Sequence, residues 1–273
     1  MKRLFRIIAV LLFGAAALLT LVAQLRLPSQ DGDWQRVYGV LPQAEVDGDR
    51  LTVRNLRNFT YDENGQVREA RYEDRGYDLS GLDSLWYGLS HFGPLGLAHS
   101  FLSFGFADGE YLALSVEARL ETHQSYNPFL GLLRTYELIY VAADERDVVG
   151  LRSHIRGEEV LLYEIDVEPA QARELLLIML STMNQLRDRP RFYNTLLDNC
   201  TTNILQHARK LTRWDLYTDY RVILPGYSDA LAYELGAIAG DLPFAETRDR
   251  ARIDPSGVDL DDPSFSPAIR GQR

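Results

Sequence analysis

The sequence predicts an α+β domain, with helices packed on an antiparallel sheet, behind an N-terminal transmembrane helix. Three observations predict it. Strand-like segments gather between residues 51 and 167, a long helical pattern follows at AQARELLLIMLSTMNQLRD, and the chain opens on a basic flank and an apolar stretch.

The opening reads MKRLFRIIAVLLFGAAALLTLVAQLRLPSQDGDW. Lys2, Arg3 and Arg6 precede an uncharged run from Ile7 to Ala23. At 1.5 Å per residue, roughly 17–20 residues cross a bilayer. The basic flank stays in the cytoplasm, so the rest of the chain is expected to be exported. The expected organisation is a signal anchor over 1–26, a catalytic body over 27–245 and a tail over 246–273. A cleaved signal peptide ending at Ala23 is the other reading, with Leu21 larger than the usual residue at its −3 position.

In chain order, LTVRNLRNFT (51–60) alternates as a first strand. Residues 61–96 are rich in turn formers with irregularly spaced aromatics and read as an extended surface arm. Four strands follow: AHSFLSFGF (98–106), EYLALSVEARL (110–120), LRTYELIYVAA (133–143) and EEVLLYEIDV (158–167). The first two flank ADG, a hairpin turn signal. Pro169 suits a first helical position, and that helix runs to the RP pair at 189–190. A second helix starts at Cys200 and ends near Thr212. A short one follows Pro225 in YSDALAYELGAI. The tail has many breakers and little to bury, so it reads as flexible.

Among 273 residues there is enough apolar content for one sizeable core. The net charge of −10 and pI of about 5.0 disfavour nucleic acid as a partner. A single cysteine excludes an internal disulfide and a cysteine-rich zinc site. HExxH, GxSxG and phosphate-loop patterns are absent, so neither a metal nor a cofactor is expected. The acidic run DERD (144–147) reads as a solvated charge cluster between strands.

The one cysteine lies in FYNTLLDNCTTNILQHARK. Asp198 and Asn199 are both good N-caps. A cap at Asn199 puts Cys200 in the first helical turn, where free N–H groups stabilise a thiolate or an oxyanion. A small buried hydrophobe is the competing reading. A thiol nucleophile needs an imidazole base. His207 is two turns along the same helix and too far from the thiol, so its expected partner is the helix C-terminus. His91 and His154 read as solvated. His123 lies in a loop and could bind substrate. His99 opens a core strand and can be aimed at a helix N-terminus, or can simply be a satisfied core histidine. On the next strand Tyr111, Ala113, Ser115 and Glu117 share one face. Ser115 or Glu117 could orient His99, and the carboxylate of Glu117 is the better stabiliser of an imidazolium.

The segments AHSFLSFGF, LALSVEARLE, LLRTYELIYVAADERDVVGLR, EEVLLYEIDV and FYNTLLDNCTTNI together resemble the Lnb N-terminal periplasmic domain family, over roughly residues 50–210. The order His99, Glu117, Cys200 on strand, strand and helix resembles the circularly permuted branch of the NlpC/P60 and papain-like superfamily. The resemblance implies a cysteine acyltransferase of the bacterial envelope, similar to lipoprotein N-acyltransferases. Cys200 would be the nucleophile and His99 the base. The implied donor is a membrane phospholipid and the implied acceptor the amine of a lipoprotein. A single-pass inner-membrane protein with its catalytic domain in the periplasm follows. Asn199, Ser115, Arg119, His123 and Arg134 are the candidate substrate-binding residues, with Arg152 a further candidate for phosphate. The aromatic segment LDSLWYGLSHFGPLGLAHSF could line an acyl groove. A cysteine amidohydrolase acting on peptidoglycan, or a non-catalytic envelope scaffold, are the other readings.

Overall fold

A computed structural model describes residues 25–209 and 219–271, with residues 2–8, 10, 11, 14 and 18 before them. The described strands are β1 (Gln43–Asp47), β2 (Arg50–Arg57), β3 (Thr60–Tyr61), β4 (Val67–Glu69), β5 (Tyr72–Asp78), β6 (Leu82–His91), β7 (Ala98–Phe106), β8 (Tyr111–Arg119), β9 (Glu137–Ala143) and β10 (Glu159–Glu164). Eight of them form one sheet in the order β1-β2-β9-β8-β7-β6-β10, with β5 added against β2. Its strands pair antiparallel except where β2 runs parallel to β9. The β7–β8 hairpin pairs Phe101 with Ser115 and Leu102 with Leu114. Gly109 supplies the positive φ of its turn, +85°, which an L side chain adopts only under strain.

Strand alternation gives the sheet two faces, and both are covered. One face carries Leu85 and Leu89 of β6, Leu102 and Phe104 of β7, and Leu112 and Leu114 of β8. It packs under helices α1 (Pro169–Asp188) and α2 (Cys200–Ala208). Pro169 takes the first turn of α1 as the sequence predicts, and Leu175, Leu176, Met179, Leu180 and Met183 form its buried stripe. The other face carries Trp86, Phe101, Ala113, Ile139 and Val141. A π-helix, Arg146–Ile155, lies against it. Helices α3 (Tyr220–Ile223), α4 (Ser228–Glu234), α5 (Phe244–Ala251) and α6 (Phe265–Arg270) complete the described chain.

The α+β reading holds, with four corrections. No helix among the described residues is long and apolar enough to cross a membrane, so the expected transmembrane helix and the single-pass placement built on it do not stand. Thirteen positions of the opening stretch, 1, 9, 12, 13, 15–17 and 19–24, lie outside the described residues. The expected surface arm supplies β5 and β6, and β6 is an interior strand between β7 and β10. Trp86 to Ser90 are buried whichever way they point, which erases the period-two pattern that marks a half-buried strand. The expected flexible tail instead forms α5 and α6 and buries Ile253, Val258, Phe265 and Ile269 against the second face. Arg270 lies between the rings of Tyr111 and Trp86 and bonds Glu145. The acidic run is not solvated: Glu145 and Asp147 are fully buried, and Asp147 pairs with Arg57 at 2.9 Å. Charges of opposite sign, distant in sequence, neutralise it.

Candidate active site

The turn before α2 folds as a capping box. Asn199 Oδ1 accepts the N–H of Thr202 at 2.8 Å, and Thr202 Oγ1 accepts the N–H of Asn199 at 2.8 Å. Cys200 is therefore the first residue of the helix, at its positive end. The hydroxyl of the next residue, Thr201, pairs with that of Ser100 at 2.9 Å and ties the helix start to β7. Cys200 is buried, and the one polar partner of its sulfur among the described residues is Thr201 Oγ1 at 3.9 Å. No described residue takes the N–H of Cys200, so that donor remains open to a ligand oxygen.

His99 is the second residue of β7, and a relay of hydrogen bonds holds its ring. Ser115 donates its hydroxyl proton to Glu117 Oε1 at 2.7 Å. The Ser115 oxygen lies 2.7 Å from His99 Nε2, so it accepts the proton that Nε2 carries. This fixes the tautomer: Nε2 bears the proton and Nδ1 presents a lone pair. Nδ1 makes no hydrogen bond to a described residue. Two-residue extension of the β7–β8 register places Glu117 opposite His99, 3.7 Å from Nε2. Arg152 of the π-helix closes the chain of charges at 3.2 Å from Glu117.

Burial sets the protonation of this group. It pushes His99 down to about 3, with the Arg152 cation adding to the effect, and the ring is neutral at ordinary pH. Burial alone would raise the Glu117 carboxyl. The nearby Arg152, with His99, Arg57 and the Ser115 hydroxyl, outweighs it and holds Glu117 well below the usual carboxylate range. The outcome is a neutral imidazole with an ionised acid behind it, the state required of a base.

Cys200 and His99 line one cavity of about 250 Å³, together with Phe92, Tyr126 and Tyr193. They reach it from different sides of the sheet. His99 shares the alternation of Phe101, on the π-helix face, whereas Cys200 packs with Ala98 and Leu102 on the α1–α2 face. The two meet beyond the start of β7, and no hydrogen bond joins thiol and imidazole. A second cavity of about 230 Å³ lies on the other side of the α2 start. Leu102, Leu175, Ile204 and Leu231 make its wall apolar, and Thr201 belongs to it.

Residues 68–226 match the Lnb N-terminal periplasmic domain family. The chain belongs to this family. Comparisons with curated proteins and with solved structures give no match. The matched span of this Lnb domain includes His99, Ser115, Glu117, Arg152 and Cys200, and stops before the tail helices α5 and α6.

The Lnb domain gathers His99, Glu117 and Cys200 from the sequence prediction at one cavity, with Ser115 buried behind it against His99. Ser115, not Glu117, is the direct partner of His99. The other candidates have different placements. Asn199 is buried and spends its amide on the cap and on Thr195 O. Arg119 is buried, stacks on Trp34 at 4.1 Å and donates to Tyr38 O and Gln30 Oε1. His123 is exposed beside Glu121, outside the cavity lining. Arg134 has its guanidinium 5.8 Å from the centre of the Phe192 ring. His207 is buried and meets the Tyr140 hydroxyl at 2.6 Å. His91 and His154 are partly buried and reach the carbonyls of Gly226 and Val258. Sequence reasoning missed Arg152 as the partner of Glu117, because its helix reads as a loop. It also missed Tyr126, which no motif marks, and Tyr193, which stands inside FYNTLLDNCTTNI without a role assigned to it.

Proposed function

We propose that this Lnb domain is a cysteine acyltransferase that works through a thioester on Cys200. The observation that supports this best is the relay Glu117–Ser115–His99, which leaves Nδ1 without a partner on a ring that lines the same cavity as Cys200. His99 Nδ1 removes the thiol proton, and the sulfur attacks the ester carbonyl of the donor. The N–H of Cys200 and the positive end of α2 stabilise the oxyanion. The intermediate collapses to the thioester, and His99 returns its proton to the departing alkoxide. An amine then attacks the thioester, loses its proton to His99, and the thiolate leaves and is reprotonated. One rearrangement is required: the thiol and Nδ1 must come within hydrogen-bonding range.

The donor in this reading is a phospholipid and the acceptor a lipoprotein amine. The apolar cavity beside Thr201 and Ile204 has the lining that an acyl chain needs. A second reading, hydrolysis of an envelope amide, draws on the polar part of the Cys200 cavity, where Glu117, Arg152, Arg156 and Glu158 stand. The test incubates the protein in detergent with phospholipid and a diacylated lipopeptide, and follows both by mass spectrometry. An acyl group on Cys200 and an N-acylated lipopeptide are expected. Acyl-enzyme without the amide product would make the protein a lipase. No adduct, with peptide released from peptidoglycan fragments, would establish the amidohydrolase.

A further inference from the structure

Three loops that each give a side chain to the Cys200 cavity also carry exposed apolar residues. Phe92 lines the cavity, and Leu95 follows in the same loop at 83% exposure. Tyr126 lines it, and Phe129 follows at 77%. Tyr193 lines it, and Leu197 follows at 71%. These loops are tied together. Thr195 donates its hydroxyl to Pro128 O at 2.8 Å, and the Tyr126 and Tyr193 hydroxyls lie 3.3 Å apart. The loop of Leu95 is bonded through Gly96 O to Gly226 N, next to the half-exposed ring of Tyr227.

Scattered apolar surface residues need no explanation, but exposed apolar tips on three loops that each reach one candidate active-site cavity do. Three arginines also stand beside it, one of them, Arg191, 3.9 Å from Asp198. Arg26 and Arg134 hold their guanidinium groups 5.9 and 5.8 Å from the Phe192 ring, and the exposed Arg191 is the residue before it. The chain as a whole carries −10. Cations flanking apolar tips complement a surface that has anionic headgroups outside and hydrocarbon beneath.

We propose that the tips at Leu95, Phe129 and Leu197 form a docking rim that enters the headgroup–acyl boundary of an anionic phospholipid surface and sets the cavity mouth against it. The inference deepens the acyl-transfer reading, since a donor ester lies at that same depth and would meet Cys200 without leaving the lipid layer.

The experiment places tryptophan at each tip in the full-length protein: Leu95→Trp, Phe129→Trp and Leu197→Trp. Asp108→Trp serves as the control, in the β7–β8 turn at the opposite end of β7 from His99, roughly 25 Å away. All four positions are at the surface, where substitution leaves the fold intact. Each protein is mixed with phosphatidylcholine–phosphatidylglycerol vesicles whose acyl chains are brominated, and the emission added by the new tryptophan is read. The three rim tryptophans are expected to lose roughly half of that emission or more, and Asp108→Trp to lose little. Unquenched rim positions, or equal quenching at both ends, would overturn the docking rim. The same preparation is assayed for acyl-Cys200. Acylation with an unquenched rim removes the docking and leaves the acyl-transfer reading. Quenching without acylation supports the docking and removes that reading.

Discussion

On the face of the sheet under α1 and α2, burial is mostly by hydrocarbon, with the Asp229–Arg248 pair against Tyr163 at its edge: Leu102, Phe104, Leu112 and Leu114 pack against Leu176, Met179 and Ile204. The opposite face buries Phe101, Ala113 and Ile139 beside ion pairs, Arg57–Asp147 at 2.9 Å, Arg270–Glu145 at 2.7 Å and Arg152–Glu117 at 3.2 Å. The candidate nucleophile belongs to the first face and the candidate base to the second. Each gets what its chemistry needs. A helix rooted in hydrocarbon holds Cys200 at a fixed helix start. A charged interior lets a buried carboxylate stay ionised behind His99. The two candidates line one cavity where strand β7 begins.

The largest expected effect removes the contribution of the apolar face. Cys200→Ala should abolish the acyl-enzyme and lower turnover by about 10⁴-fold or more, since the covalent route is lost. Acylated product formed by Cys200→Ala at the rate of the parent protein would remove the thiol from the mechanism. On the charged face, His99→Ala should lower thioester formation by roughly 10²- to 10⁴-fold. Labelling of Cys200 by an electrophilic probe should slow with it. Equal labelling of the parent and His99→Ala would mean that the imidazole does not act on the thiol.

Stability separates the faces in another way. Arg152→Met leaves Glu117 ionised and unpaired in the interior, which should cost about 3–5 kcal/mol. Leu114→Ala on the apolar face should cost about 2–5 kcal/mol through its cavity. The difference shows in rescue. Adding Glu117→Gln to Arg152→Met should recover much of the loss, and adding it to Leu114→Ala should recover none. Denaturant unfolding measures both. If Arg152→Met unfolded like the parent protein, the charged face would not depend on this pair.

How much of this the sequence disclosed also divides by face. The apolar face is legible: α1 shows its stripe from Ala172 to Met183, and an N-cap at Asn199 predicts where Cys200 sits. Alternation in β8 predicts that Ser115 and Glu117 share a face with each other and not with Leu114. The charged face was not legible. Its charges are cancelled by partners far away in the chain, Arg57 with Asp147 and Arg270 with Glu145, and local polarity then looks like solvent exposure. The tail over 246–273 reads as flexible for the same reason, since its apolar residues are few and widely spaced, yet Ile253, Val258, Phe265 and Ile269 are buried. Strand β6 was missed because burial on both sides leaves no period to detect.

Acid should act first on the charged face. The folded pKa of His99 lies below its unfolded value near 6.5, so the unfolded chain takes up a proton before the folded one does. Stability is then full above pH 6.5 and falls as pH drops from there towards 3. Glu117 also has a depressed folded pKa, so its contribution is lost below about pH 4.3, the unfolded value. A denaturant titration should therefore show a decline starting near pH 6.5, reaching a few kcal/mol at most. His99→Gln should remove the upper part of that decline. An unchanged curve between pH 6.5 and 5 in His99→Gln would show that another group carries it.

The smallest expected effect tests the joint between base and carboxylate. Ser115 is the atom bridge: it accepts from His99 Nε2 and donates to Glu117 Oε1, both at 2.7 Å. Ser115→Ala removes one hydroxyl from a buried relay and leaves Nε2–H with only the carboxylate at 3.7 Å. The Nε2–H bond is what fixes the tautomer, so its loss lets the proton sit on Nδ1, where the imidazole cannot act as the base. One buried hydrogen bond is worth about 1 kcal/mol, which corresponds to a rate loss of several-fold. The loss should fall on kcat, with KM for the donor unchanged, because Ser115 orients the base and does not touch the acyl group. Ser115→Thr keeps the hydroxyl and should keep most of the rate. If Ser115→Thr and Ser115→Ala lost the same activity, packing would explain the residue better than the relay does. If neither lost any, His99 would be oriented without Ser115, and Glu117 would have to hold it directly.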